Sequence, residues 1–188
     1  MFEANGVTVA IISDTHDVLI PPIQSLISQC DIAVHAGDIG NGAILDAMQP
    51  RTGKVVAVAG NNDHERAWPP QQSDRVRSLP RVASLELPGG LLRVEHGHVH
   101  DVHSPDHEDL RAAHPDARLI VYGHTHRKVI DDFRLPWVVN PGAAGLTRTR
   151  GGASCLVLSA SESLWKLESF RFLDSDQAIN EQAAINAA

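Results

Sequence analysis

Val7-Thr8-Val9-Ala10-Ile11-Ile12-Ser13-Asp14-Thr15-His16 carries a β-branched apolar run straight into a carboxylate and an imidazole. Val7 to Ile12 reads as a strand, and the polar break after it puts Asp14 and His16 on one face of an extended segment. Further apolar runs end the same way. Ile32 to His35 breaks at Gly37-Asp38, and Lys54 to Ala59 breaks at Gly60-Asn61-Asn62-Asp63. Leu91 to Glu95 runs into His96, and Arg118 to Tyr122 runs into Gly123-His124-Thr125-His126. Strand ends of a parallel or mixed α/β sheet converge on one edge, where residues distant in sequence can meet around one or two cations. Asp14, His16, Asp38, Asn61, His96, His124 and His126 are therefore the candidate metal ligands.

The segments between these strands are punctuated as helices. Pro21-Pro22 suits the opening turn of a helix continued by Ile23, Leu26 and Ile27, and Asn41-Gly42 opens a shorter one through Met48 that Pro50 closes. Successive strand, turn and helix units predict a largely parallel sheet. Glu65 to Pro80 is rich in Pro, Gln and Arg and reads as an irregular loop with room for one helical turn. Beyond it, Val82 to Leu87 and Leu91 to Glu95 flank the hairpin signal Pro88-Gly89-Gly90. Ser104-Pro105 is the expected cap and first position of a helix over Asp106 to Ala113. Pro136 to Val139 adds a strand closed by Asn140-Pro141-Gly142, and Ala153 to Leu158 with Leu164 to Phe172 forms a closing hairpin. Two sheets packed together with helices outside is the simplest container for these elements. We expect one domain over residues 1–173 and a flexible tail over 174–188, where no sustained apolar stripe appears.

With 188 residues, 43% of them hydrophobic, the chain can bury a real core. Its formal charge of −7 argues against broad binding to nucleic acid or to anionic membranes, since both rest on basic patches. Bound divalent cations would reverse that sign locally, so an anionic substrate remains compatible with the site. Cys30 and Cys155 show no pairing pattern and lie in or beside apolar segments, as small buried hydrophobes of a reducing compartment do. There is no long apolar span and no basic-then-apolar leader, so the expected location is the cytoplasm; a homo-oligomer is allowed.

A carboxylate beside an imidazole suits a borderline divalent ion such as Mn²⁺, Fe²⁺ or Zn²⁺. Asp38 could share its two oxygens between two ions, Asn61 offers a neutral amide oxygen, and the histidines flanking Thr125 can address two ions from one loop. In order, the motifs are Asp-x-His, Gly-Asp, Gly-Asn, His-Gly-His and Gly-His-x-His, followed by Asn-Pro-Gly. That series resembles the calcineurin-like metallophosphoesterases, from Val7 to about Phe172, and among them the small bacterial and archaeal phosphodiesterases that share their fold with the retromer's metal-binding sorting subunit. The resemblance implies a four-layer αββα sandwich of two mixed β-sheets flanked by helices. It also implies that Asp14, His16 and His126 hold one metal, that Asn61, His96 and His124 hold the other, and that Asp38 bridges them. The cofactor is then two divalent ions, Mn²⁺ foremost, with Fe²⁺, Zn²⁺, Ni²⁺ and Mg²⁺ as alternatives. Two such ions about 3.5–4 Å apart would make hydroxide from a shared water near neutral pH, for in-line attack on phosphorus.

The chain departs from that family at two positions. Many members of the wider superfamily carry an acidic His directly after the Asn of the third motif; here Asn62 has no proton to give, and it is expected to contact substrate instead, as is Asn140. Ala143 stands where this branch often has Ser. His98, two residues beyond His96, is the candidate catalytic acid, whereas His100, His103 and His107 read as solvent-facing loop residues. Arg127, Arg148 and Arg150 could steer a substrate phosphate but read better as ordinary loop charge. Ser13 and Ser154 lack a base and an oxyanion arrangement, which sets serine-hydrolase chemistry aside. The expected function is a binuclear metal-dependent phosphoesterase acting on phosphodiesters. A phosphomonoesterase and a non-catalytic metal-binding interaction subunit are the alternatives.

Overall fold

In β1 (Val7–Ile12), Val9 and Ile11 face one side and Ala10 and Ile12 the other, and all four are 0% exposed. A strand that is apolar on both faces must be covered twice. The computed structural model, which describes residues 6–101, 103–173 and 177–181, shows how. Val9 and Ile11 enter a core between two sheets, joined by Ile32 and Val34 of β2 (Ile32–His35) and by Leu92 and Val94 of β5 (Gly90–Glu95). Leu119 and Val121 of β6 (Leu119–Val121) and Trp137 and Val139 of β8 (Trp137–Pro141) complete its far side. Ala10, Ile12 and Ala33 pack instead beneath Ile23 and Ile27 of α1 (Pro21–Ser28). On the outer face of the second sheet, Ile120 and Val138 lie under Leu110 of α4 (His107–Ala113). Full burial of each such side chain contributes about 1.5–3 kcal/mol, so this alternation alone enforces the four layers.

The remaining strands are β3 (Lys54–Ala57), β4 (Val82–Leu87), β7 (Lys128–Asp131), β9 (Ala153–Ala160), β10 (Trp165–Leu173) and β11 (Gln177–Glu181). The first sheet has the order β11-β10-β9-β1-β2-β3 and the second β4-β5-β6-β8-β7. β1, β2 and β3 run parallel, as do β5, β6 and β8; the hairpin strands β9, β10, β4 and β7 pair antiparallel, so both sheets are mixed. This is the expected αββα sandwich.

Local differences have local causes. The segment expected as an irregular loop holds a 3₁₀ turn (Pro70–Gln72) and α3 (Ser73–Ser78), whose Val76 closes a small cluster with Ile39, Ile44 and Trp68 over α2 (Gly42–Ala47). β7 was not foreseen because all four of its residues are only half-buried, which leaves no apolar alternation to read. The cap of α4 is Asp106, whose side chain accepts from the Glu108 N–H, in place of Ser104; a carboxylate fills that role as well as a hydroxyl. Within the segment expected as a tail, β11 pairs with β10; edge pairing uses backbone groups and needs no apolar stripe. The rest of that segment lies outside the described residues. Among the described residues, no helix is long and apolar enough to cross a membrane.

Candidate metal centre

The loop after β1 continues the sheet pairing past the end of the strand. Asp14, His16 and Asp17 donate their N–H groups to the carbonyls of Gly37, Asp38 and Ile39 at 3.0, 3.1 and 3.0 Å. Thr15 locks the same junction: its hydroxyl donates to Ile39 O at 2.9 Å and meets His35 Nε2 at 2.9 Å. His35 Nδ1 accepts from the Gly37 N–H at 3.2 Å, so its proton sits on Nε2 and the ring is neutral; burial pulls it down to about 4. The loop after β3 is tied in by Asp63, whose carboxylate accepts from the N–H groups of Ile39, Gly40 and Gly60 and from the Trp68 indole at 2.9–3.1 Å. Gly60 is needed for close approach, since a Cβ there would strike the Asp38 carboxylate. Gly37, at φ +92°, makes the turn that an L side chain resists.

All seven candidate ligands meet at this edge. Asp38 stands between two groups: its Oδ2 is 3.7 Å from His16 Nε2, and its Oδ1 is 3.4 Å from His96 Nε2. On one side His126 Nε2 lies 3.1 Å from His16 Nε2 and 3.4 Å from Asp14 Oδ1. On the other, Asn61 Oδ1 lies 3.2 Å from His96 Nε2 and 3.0 Å from His124 Nδ1. Ligand atoms of Asp14, His16, Asp38 and His126 all fall within 4.8 Å of one another. Backbone carbonyls orient two of the rings: His96 Nδ1 donates to Ala36 O at 2.7 Å and His126 Nδ1 to Thr147 O at 2.8 Å, which turns each Nε2 toward the centre.

Strain and charge mark the same place. Asp14, His16, Asp38, His124 and His126 all have positive φ, from 43° to 70°, a conformation costing about 1–2 kcal/mol for each non-glycine residue. Burial pushes the Asp14 carboxyl up to about 7, against the opposing pull of His96 and the Ser13 hydrogen bond, and its Oδ1 has no hydrogen-bond partner. Burial also works against ionisation of Asp38, but His96 and the two Asn62 hydrogen bonds outweigh it and hold that carboxyl well below the usual carboxylate range. Burial pulls His126 down to about 4, with Arg148 and His16 adding to it and the Thr147 carbonyl opposing, so the ring is neutral. Arg148 Nη2 stands 3.1 Å from the His126 Nε2 lone pair, a fixed cation at the edge of the donor cluster. A buried carboxylate oxygen without a donor, imidazole nitrogens turned inward and an arginine drawn to one of them together fit a site for divalent cations.

Other site residues take places that differ from expectation. Asn140 is 0% exposed and its amide is fully engaged, donating to Gly123 O at 2.6 Å and Thr125 Oγ1 at 3.1 Å and accepting from the Gly142 N–H at 2.8 Å. It braces the loop of His124 and His126 and has no face left for substrate. Asn62 borders the cleft, but its N–H and Nδ2 both donate to Asp38, at 2.9 and 2.6 Å. His98 does lie at the centre, its ring 5.4 Å from that of His96 and 6.2 Å from that of His124. Burial, with His96 and His124 adding, lowers it below the usual histidine range. Among the presumed loop histidines, His100 pairs with Glu95 at 2.8 Å and His107 with Asp131 at 2.6 Å, because the loop folds back on charged strand ends. His103, Arg148 and Arg150 line the cleft. Asp63, His35 and Thr15 were missed. Each stands inside a motif, Asp63 as the last residue of the Gly60-Asn61-Asn62-Asp63 turn, Thr15 between Asp14 and His16 and His35 at a strand end, but nothing in the sequence marks its bracing role.

A two-sheet sandwich with Asp, Asn and His donors gathered past its parallel strands is the architecture of a metallophosphoesterase. Residues 7–163 match the family model of the calcineurin-like phosphoesterase superfamily domain. A protein named probable metallophosphoesterase from Methanocaldococcus jannaschii is 31% identical over 149 residues, covering 74% of this chain and 69% of its own. A phosphodiesterase of the same organism is 27% identical over 143 residues, covering 71% of this chain and 82% of its own. Wild-type Vps29 of Entamoeba histolytica, solved with Zn²⁺, superposes with a TM-score of 0.70 at 17% identity, covering 92% of this chain and 98% of its own, and so shares the fold. The chain belongs to the calcineurin-like phosphoesterase superfamily.

Proposed function

We propose that residues 1–173 act as one binuclear metal-dependent phosphodiesterase in the cytoplasm, a setting that the buried, unpaired Cys30 and Cys155 favour. The observation that carries this is the position of Asp38, with one carboxylate oxygen toward His16, Asp14 and His126 and the other toward His96, Asn61 and His124. Asp14, His16 and His126 would hold one ion, Asn61, His96 and His124 the second, and Asp38 both. Divalent ions, Mn²⁺ foremost, would supply Lewis acidity toward phosphoryl oxygens and lower the pKa of coordinated water. Asn62 keeps Asp38 ionised and fixed through its two hydrogen bonds. His98, which burial holds below the usual histidine range, would donate a hydrogen bond from its ring toward a departing oxygen.

The test is hydrolysis of bis(4-nitrophenyl) phosphate against 4-nitrophenyl phosphate, with Mn²⁺ and after chelation. Diester cleavage that needs Mn²⁺ and collapses in Asp38→Asn is the expected result. Faster cleavage of the monoester would favour a phosphomonoesterase. Two bound ions without hydrolysis of either ester would favour a metal-binding interaction subunit, a reading that the Vps29 likeness keeps in play.

A further inference from the structure

The cleft that contains Asp38, Asn61 and His124 is also lined by His103, Arg148 and Arg150. Neither arginine makes an ion pair with a carboxylate among the described residues, although the chain as a whole carries a formal charge of −7, and the one contact of Arg148 with His126 Nε2, at 3.1 Å, is one that an ion held by that nitrogen would displace toward the cleft. Both are held at left-handed φ, 52° and 49°, while Gly151 and Gly152, which adopt such angles freely, follow directly. A loop that served only to turn would place glycine at the strained positions. Guanidinium groups bind phosphate oxygens in bidentate fashion, and two of them beside one cleft exceed what a single phosphodiester can use. Two divalent ions less the two carboxylates Asp14 and Asp38 and one hydroxide leave one positive charge, which already matches the one negative charge of a diester. On the leaving-group side Asn62 has no proton to give and directs its amide to Asp38, which leaves the hydrogen bond proposed for His98 as the help available.

From these observations, and resting on the phosphoesterase function proposed above, we infer that Arg148 and Arg150 bind a second phosphoryl group, so that the preferred substrates are diphosphate-linked esters. Water adds to one phosphorus, and the bond from that phosphorus to the bridging oxygen breaks, so the oxygen leaves with the other phosphoryl group. Two phosphate monoesters result, and the protons of water pass to products and solvent. A monoester leaving group, with a second pKa of roughly 6, departs at neutral pH without an acid.

The Mn²⁺-loaded full chain is assayed on diadenosine diphosphate, which has two phosphoryl groups, and on bis(4-nitrophenyl) phosphate, which has one. Arg150→Ala should raise KM for diadenosine diphosphate roughly 10–100-fold with a much smaller change in kcat, so the ratio of the two kcat/KM values falls by a similar factor. Arg150→Lys should recover part of the loss. Equal losses on both esters, or a loss confined to kcat, would overturn the inference and put the arginines on the reacting phosphoryl group. Calorimetric titration supplies a readout without turnover: ADP should bind at least about tenfold more tightly than AMP, and the double variant Arg148→Ala, Arg150→Ala should lose that preference. Equal binding of ADP and AMP by the wild-type chain would also overturn it. Cleavage of bis(4-nitrophenyl) phosphate without preference for the diphosphate ends the inference and leaves the phosphoesterase function standing. If neither ester is cleaved, that function fails, and the titration alone decides what the arginines bind.

Discussion

With its side chain wholly buried and one oxygen unpaired, Asp14 keeps its proton up to a pH of about 7 in the ion-free protein. Unfolded, it would lose that proton near 3.8. The folded state therefore binds the extra proton between those values, and ion-free stability falls as pH rises from about 4 through 7. Asp14→Asn should raise the melting temperature of the ion-free chain at pH 8, by roughly 2–4 °C for each kcal/mol relieved, while weakening Mn²⁺ uptake. Calorimetric scans of both proteins check this, and a lower melting temperature in the variant would count against it. Mn²⁺ affinity of the wild type should fall as pH drops below 7, because the ion must then displace the proton. Asp63 acts one step further out. It accepts four N–H groups that fix the loops of Asp38 and Asn61, so Asp63→Asn removes an acceptor oxygen from buried donors. Ion affinity should drop roughly 10–100-fold, measured by titration with Mn²⁺, with some loss of stability as well.

At the level of elements, α4 is fastened to β7 and to the end of β6 by a polar chain apart from the metal centre. Asp131 Oδ2 meets His107 Nδ1 at 2.6 Å, its Oδ1 lies 2.8 Å from Arg111, and His107 Nε2 meets the buried Tyr122 hydroxyl at 3.1 Å. Burial opposes ionisation of Asp131, but the hydrogen bonds from His107 and Arg111 outweigh it and keep its carboxyl below the usual range. Its contribution is therefore complete above the ordinary carboxylate pKa, and it is lost as pH falls through the lower folded value. Asp131→Ala leaves the buried Arg111 without this partner and should destabilise the fold by about 3 kcal/mol, read from urea unfolding at pH 7. Bound ion content should stay at the wild-type level, since the partners of Asp131 are His107 and Arg111 and none of the seven candidate ligands. A variant that lost its ions while remaining folded would show that the two regions are coupled.

For the molecule as a whole, the sandwich is a rigid frame that holds strained loops at one edge, and a ligand specific to that edge should stabilise the frame. With free Mn²⁺ at a hundred times its dissociation constant, each site should add about 2.7 kcal/mol. The melting temperature should rise with Mn²⁺, return to its starting value on chelation, and respond far less in Asp38→Asn. A response to Mn²⁺ unchanged in that variant would mean that the ion binds elsewhere.

The positions of the donors in the chain were legible in the sequence because strand ends are marked twice, by the close of an apolar run and by a glycine or polar break. The two-sheet architecture was legible for a related reason: the runs of β1, β2, β6, β8 and β9 are apolar at successive residues, and only a layer on each side can cover them. Half-buried β7 carried no such pattern, and the Asp106 cap was one of several residues able to fill that place. The sequence could not show how the polar side chains are shared out. Asn140 and Asn62 have the same chemistry, yet one is closed inside the loop bracing and the other holds Asp38, and Arg148 lines the cleft from a loop at a left-handed backbone angle. Periodicity and composition settle where a chain must be covered. Which donor meets which acceptor depends on contacts between residues far apart in sequence, and those exist only once the sheets have packed.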